Sequence, residues 1–318
     1  MELRILGIHH VTAIAGNPQQ NIDFYTGLLG LRLIKVTVNF DDPGTYHFYF
    51  GDDMGRPGTI MTFFPWPGAP RGRRGTGQVT TVAFSISGES LSFWEERLRA
   101  AGIAAAGPVA RFKEQVLSFF DPDGLQLELV ANKDDRRSGW AEGPVPAEHA
   151  IRGFYGVTMS IAGYERSASL LTEILGFRKV AESDSCFRYA VGEGSPGSLV
   201  DILSLPEAPR GQVSVGTIHH IAWRTANDEQ QLGWREKLVD QGYNVTPVQD
   251  RQYFHSIYFR EPGGVLFEIA TDSPGFTVDE SPEQLGTGLK LPAWLERQRQ
   301  QIERVLPPLR MPASARER

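Results

Sequence analysis

Apolar and polar positions along this chain fall into a pattern that recurs four times. Residues 5–15, ILGIHHVTAIA, read as a strand. Residues 17–30, NPQQNIDFYTGLLG, read as a helix with Asn17 as its cap, Pro18 in the first turn and Gly30 as its stop. Three β-like runs follow, LRLIKVTVNF, TYHFYFGD and GTIMTFFPW. The second copy, over 77–132, has the strand GQVTTVAFSIS and the helix SLSFWEERLRAAG, then VLSFF, the turn DPDG and LQLELVAN. The third opens with RGFYGVTMSIA, continues into the helix YERSASLLTEILGF, and supplies FRYAV and SLVDILSL as later strands. The fourth runs from GTIHHIAW through the helix DEQQLGWREKLVDQG to HSIYF, REPGG and VLFEIATD. The repeat predicts an α+β fold of four βαβββ units in two tandem halves, residues 1–140 and 150–273. A charged, Gly- and Pro-rich stretch, 132–150, is the expected linker. A tail, 274–318, lies outside the repeats. It carries an expected helix in LPAWLERQRQQIERVL that should pack on the outside or on another subunit, so a homo-oligomer is one expectation.

Two units carry adjacent histidine pairs, His9–His10 and His219–His220, in a chain with only seven histidines. Successive residues of a strand face opposite ways, so each pair offers one side chain to a common site. His9 shares its face with Val11 and Ala13, and His219 with Ile221 and Trp223, which are apolar sets suited to packing under helices. His10 and His220 are therefore the better ligand candidates. The third unit has Gly156 where His10 stands, and the second has Thr80 or Thr81. Only the first and last units therefore offer a histidine at this position. Glu128 and Glu268 occupy the same register on the last strands of units two and four. Glu128 lacks accompanying histidines and is expected to be a paired structural carboxylate.

Composition narrows the class. Of 318 residues, 41% are hydrophobic and 22% charged, and the net charge is −6, which gives no electrostatic reason for nucleic acid or an anionic membrane as partner. Cys186 is the only cysteine, so no intrachain disulfide forms, and no apolar run has transmembrane length. A cytoplasmic protein acting on a small molecule is the expectation. No Walker-type loop or nucleophile elbow is present.

The four-fold βαβββ pattern resembles the vicinal oxygen chelate superfamily of glyoxalases and ring-cleaving dioxygenases, over roughly residues 5–273. Within it, GIHHVTAIAG, TYHFYFGDDMGRPGT, EHAIRGF, TIHH, YFREPGGVLFE and DSPGFTVDE most resemble hydroquinone-cleaving dioxygenases such as those acting on chlorohydroquinones. The resemblance implies mixed, curled sheets around a metal. It implies His10, His220 and Glu268 as ligands, with His9, His219 and Tyr258 assisting catalysis and Arg251 and Thr12 surrounding the substrate. His255 has no counterpart that carries over. Unit one offers no Asp, Glu or His on its last strand, which leaves three protein ligands. Two imidazoles and one carboxylate with open positions suit Fe(II), with Mn(II) as the alternative. The implied reaction opens an aromatic diol, para or ortho, with O2. A glyoxalase-like lyase or isomerase, or a quinone- or drug-binding protein of the same fold, are the other readings.

Overall fold

The computed structural model describes residues 2–312. Unit one comprises β1 (Ile8–Ala15), α1 (Pro18–Ile22), β2 (Arg32–Asn39), β3 (Asp42–Gly51) and β4 (Ile60–Pro65). Unit two comprises β5 (Gln78–Ile86), α2 (Leu91–Ala100), β6 (Ala105–Arg111), β7 (Glu114–Phe120) and β8 (Gln126–Ala131). Unit three comprises β9 (Phe154–Ile161), α3 (Glu165–Ser169), β10 (Arg178–Ser183), β11 (Cys186–Ala190) and β12 (Leu199–Ser204). Unit four comprises β13 (Thr217–Thr225), α4 (Asp228–Asp240), β14 (Gln249–Asp250), β15 (Phe254–Arg260) and β16 (Leu266–Pro274). Asn17 caps α1 by accepting from Gln20 N at 3.0 Å, and the helix runs on as a π-helical turn, Asp23–Leu28. The corresponding turn in unit three, Leu170–Ile174, is also π-helical.

The strands form two eight-stranded sheets, ordered β14-β15-β16-β13-β1-β4-β3-β2 and β10-β11-β12-β9-β5-β8-β7-β6. The first unit thus shares a sheet with the last, and the two middle units share the other. Each half of the chain contributes half of each sheet. β1 pairs antiparallel with β13 at the centre of the first sheet, as β5 does with β9 in the second. Val11, Ala13, Ile221 and Trp223 belong to the main buried core with residues such as Trp94 and Trp234. The opposite face of the first sheet holds a separate buried cluster that includes Ile34, Tyr49, Ile60, Ala222, Tyr253 and Phe254.

The two acidic-Pro-x-Gly turns tie units together. Asp121 accepts from Leu125 N at 2.8 Å within its own turn and from the Tyr25 hydroxyl of unit one at 3.1 Å. Glu261 likewise accepts from Val265 N at 2.8 Å and from Ser167 of unit three at 2.5 Å.

The tail departs from the sequence expectation. Its helix, α5, covers only Arg299–Val305, after a 3-10 turn at Glu296–Gln298. The preceding segment packs inward: Phe276 and Leu285 join the smaller cluster, and Leu289 bridges to Val36 on the edge strand β2. Lys35, buried in β2, is neutralised there by Asp279 and Glu280 and donates to the Phe276 carbonyl at 3.2 Å. Among the described residues no helix is long and apolar enough to cross a membrane.

Candidate metal centre

The histidine pairs sit on β-bulges. Across the β1–β13 ladder Ile8 lies opposite Trp223 and His10 opposite Ala222, which makes His9 an extra residue on β1. Thr12 lies opposite His220 and Ala13 opposite Ile218, so His219 is the extra residue on β13. The bulges correct the expectation from strict alternation. His9 and His219 do not turn under the helices; each presents its ring edge to the histidine that follows, at centroid separations of 5.1 and 5.0 Å.

His10 and His220 face one another, with Nε2 atoms 3.3 Å apart across 210 residues of sequence. Glu268 on β16 lies opposite Ala222, and its Oε2 approaches His220 Nε2 to 2.9 Å and His10 Nε2 to 3.3 Å. All three side chains are buried. Glu268 Oε1 accepts from Ser256 Oγ, whereas Oε2 has no hydrogen bond of acceptable geometry.

Proton positions follow from the backbone. His9 Nε2 lies 3.0 Å from the Thr271 carbonyl, which can only accept, so Nε2 carries the proton. Burial first, and the neighbouring His10 second, hold the His9 pKa well below its ordinary value, so the ring is neutral and its Nδ1 accepts. His10 Nδ1, 2.9 Å away, must then donate, which leaves a lone pair on His10 Nε2. His219 is also neutral, with its pKa pushed down to about 3 chiefly by burial, and its Nδ1 stands 2.7 Å from His220 Nδ1. Burial lowers the His220 pKa as well, against the pull of Glu268. Burial alone would raise the Glu268 pKa, but His10 and His220 hold it well below the usual range. The His10 Nε2 lone pair therefore converges with His220 Nε2 and the Glu268 Oε2 carboxylate oxygen. Metal bonds of about 2.1 Å at right angles place donors about 3 Å apart, which fits the separations here. The three side chains form a group able to hold a metal ion.

The chain matches the model of the Glyoxalase/Bleomycin resistance protein/Dioxygenase superfamily over residues 7–129 and 157–269. It belongs to this superfamily. It is 48% identical over 308 residues to a Bacillus subtilis protein with the provisional name ring-cleaving dioxygenase MhqO, covering 97% of this chain and 98% of that one. It is 34% identical over 310 residues to the chlorohydroquinone/hydroquinone 1,2-dioxygenase of Sphingobium indicum, covering 95% of this chain and 96% of the relative. A crystal structure of a Bacillus subtilis protein provisionally named a dioxygenase superposes with a TM-score of 0.93 at 47% identity, covering 97% of this chain and 99% of that one. The two curled mixed sheets are the tandem vicinal oxygen chelate fold.

Within that fold the second sheet shows what the first has gained. Its bulges persist, with Thr80 and Tyr155 as the extra residues, so the bulge belongs to the scaffold. Glu128 lies opposite Ala83 as Glu268 lies opposite Ala222, and Asp201 opposite Thr158 as Thr62 lies opposite Thr12. Neither carboxylate has a histidine beside it. Arg111 binds Glu128 through two contacts of 2.9 and 2.6 Å, and Arg188 binds Asp201 through two of 2.7 and 2.9 Å.

The other residues singled out in the sequence occupy different places around the first sheet. The Tyr258 ring lies 5.7 Å from His220, and its hydroxyl accepts from Arg251 Nε at 3.3 Å. Burial raises the Tyr258 pKa, helped by Glu268 and opposed by Arg251, so the phenol stays protonated. Arg251 also pairs with Asp41 at 3.0 Å. The Thr12 hydroxyl is turned to Thr62 Oγ1 at 2.9 Å. His255 faces away and binds Asp228 at 2.7 Å. Sequence reasoning passed over His47, Tyr49, Thr62 and Ser256. Their signal was period two: His47 and Tyr49 share one face of β3, and Thr62 lies opposite Tyr49 on β4, on the His10 side of the ladder.

Proposed function

We propose that this chain is a metal-dependent, extradiol-type ring-cleaving dioxygenase of the cytoplasm that opens a hydroquinone-type aromatic diol with O2. His10, His220 and Glu268 are its ligands, and Fe(II) its working metal, with Mn(II) fitting the same donors. The observation that carries this reading is the buried meeting of His10 Nε2, His220 Nε2 and Glu268 Oε2, all within 3.3 Å of one another. Three such donors leave positions open for substrate and gas, as non-haem Fe(II) oxygenases require. The hydroquinone dioxygenase named among the relatives supplies the substrate class. When bound, the metal would lower the pKa of a coordinated hydroxyl and give ring electrons a route to O2.

The chain's own groups fix the geometry of that chemistry. His9 locks the His10 tautomer against the Thr271 carbonyl, His219 holds His220 through their Nδ1 atoms, and Ser256 fixes the Glu268 carboxylate. Tyr258, with Arg251 beside its oxygen, is the group placed to exchange a proton with the bound diol. Thr62 bears on the glyoxalase-like reading. It occupies the position in unit one that Glu268 occupies in unit four, where a glyoxalase site would want a fourth ligand.

The test is anaerobic loading with Fe(II), then O2 uptake with hydroquinone, methylhydroquinone and catechol. Uptake with a para-diol is expected. A protein that holds iron stoichiometrically and consumes no O2 with any diol is not a dioxygenase.

A further inference from the structure

The metal centre is asymmetric about the β1–β13 ladder. On the unit-four side stand Glu268, Tyr258 and Arg251. On the unit-one side the ligand position is held by Thr62, whose hydroxyl cannot replace a carboxylate as a ligand. Thr62 Oγ1 lies 2.8 Å from His47 Nε2, and His47 Nδ1 lies 2.9 Å from the Tyr49 hydroxyl. Tyr49 is the counterpart of Tyr258, since each lies opposite the last-strand residue of its own unit, Thr62 or Glu268. Tyr258 is engaged by Arg251, whereas Tyr49 is engaged by an imidazole that can act as donor or acceptor. The His47 ring packs on Phe64 at 4.3 Å, and Phe64 packs on His219 at 5.9 Å. His47, Phe64 and His219 are all partly exposed, while Tyr49 and Thr62 are buried. The unit-one side of the metal centre is thus lined by an aromatic wall and a polar pair.

We propose that Tyr49 binds the second hydroxyl of a para-diol and that His47 is its positioning residue. This rests on the reading that the site takes aromatic diols. An ortho-diol can place both oxygens on a metal. A para-diol can place only one, so its far oxygen must find a protein partner or lose its hydrogen bonds on leaving water. The position in front of Thr62 is the one that no protein donor fills. A ring entering there runs along Phe64, with Tyr49 and His47 as its polar neighbours. Tyr49 hydrogen-bonds the far oxygen, and His47, anchored on Thr62, fixes the direction in which the phenol points.

The experiment measures binding rather than turnover. Fe(II)-loaded full-length chain is titrated anaerobically by calorimetry with hydroquinone, phenol and catechol, and O2 uptake by the same preparations is recorded in parallel. Wild type should bind hydroquinone about tenfold more tightly than phenol, the size of one well-made hydrogen bond. Tyr49→Phe should bring that ratio close to one while leaving the catechol-to-phenol ratio unchanged. His47→Ala should lower the ratio several-fold, and His47→Gln, which keeps a donor and an acceptor, should restore part of it. A ratio of dissociation constants is independent of the active fraction, so partial misfolding does not imitate the effect. The proposal is overturned if wild type shows no preference for hydroquinone, if Tyr49→Phe keeps the wild-type ratio, or if only Tyr258→Phe abolishes it. Absent O2 uptake by wild type counts against the dioxygenase reading alone, because the binding ratio still judges Tyr49.

Discussion

The residue that decides how the candidate metal centre is built is the extra one. Strict alternation along β1 would send His9 to the helix side; the bulge turns it beside His10, where it sets a tautomer. No property of the string IHHV distinguishes the two outcomes, because a bulge is fixed by the partner strand's register. Ser256 was equally hidden, since a serine in a strand is unremarkable until Glu268 is placed beside it. Ser256→Ala should weaken metal affinity about 10- to 100-fold, the usual effect of removing a group that orients a ligand, as read by competition with a chelator. The meeting of His10, His220 and Glu268 was legible because repetition carried information that a lone histidine does not. A second prediction at this scale concerns Asp121, whose pKa is pushed up to about 6, chiefly by burial. Its unfolded value, near 3.8, is lower, so its contribution to stability is fully present below pH 3.8 and is lost as pH rises to about 6. Asp121→Asn lacks this titration. Its stability relative to wild type should therefore rise between pH 4 and 6 and level off above, in urea melts across that range.

Among the elements, the sequence pattern disclosed those that are buried on at least one face. β6 is exposed along nearly its whole length and β10 largely so. Each lies at an edge of the second sheet, and their strings, AAGPVAR and RKVAES, carry no apolar alternation to read. The matching edge strand β2 is buried because the tail covers it, and it read clearly as LRLIKVTVNF. The tail misled for the converse reason. Its inward grip comes from Lys35 meeting Asp279 and Glu280, an ion pair that composition does not reveal. Lys35→Met leaves Glu280 buried without its main partner and should cost about 3–5 kcal/mol, seen as a lower urea midpoint. A Lys35→Met, Asp279→Asn, Glu280→Gln triple variant should recover part of that loss. Failure to recover any would show that the charges are not what hold the tail. The same segment brings Phe276 against Tyr49 and Tyr253, both at 5.0 Å, so a loosened tail also loosens the wall of the metal centre.

For the molecule as a whole, the pairing of first unit with last means that neither half of the sequence completes a sheet. Residues 1–140 and 150–318 expressed apart should each bind no metal with the affinity of the whole, since His10 lies on one and His220 and Glu268 on the other. Mixing the two should restore one ion per reconstituted pair, by metal analysis of the co-eluting peak. The intact chain should likewise hold one ion and not two. The pseudo-equivalent place in the second sheet has its carboxylates closed by Arg111 and Arg188, and Glu128→Gln should leave the metal content unchanged.

The long reach between His10 and Glu268 also sets a schedule. During synthesis the N-terminal strand waits through more than two hundred residues before its central partner β13 exists, and the carboxylate comes later still. A chain that ends before β16 therefore lacks the Glu268 carboxylate even where both histidine pairs are present. An ion that needs all three donors can be gripped only once β16 has been made, so the order of translation puts the closing carboxylate last.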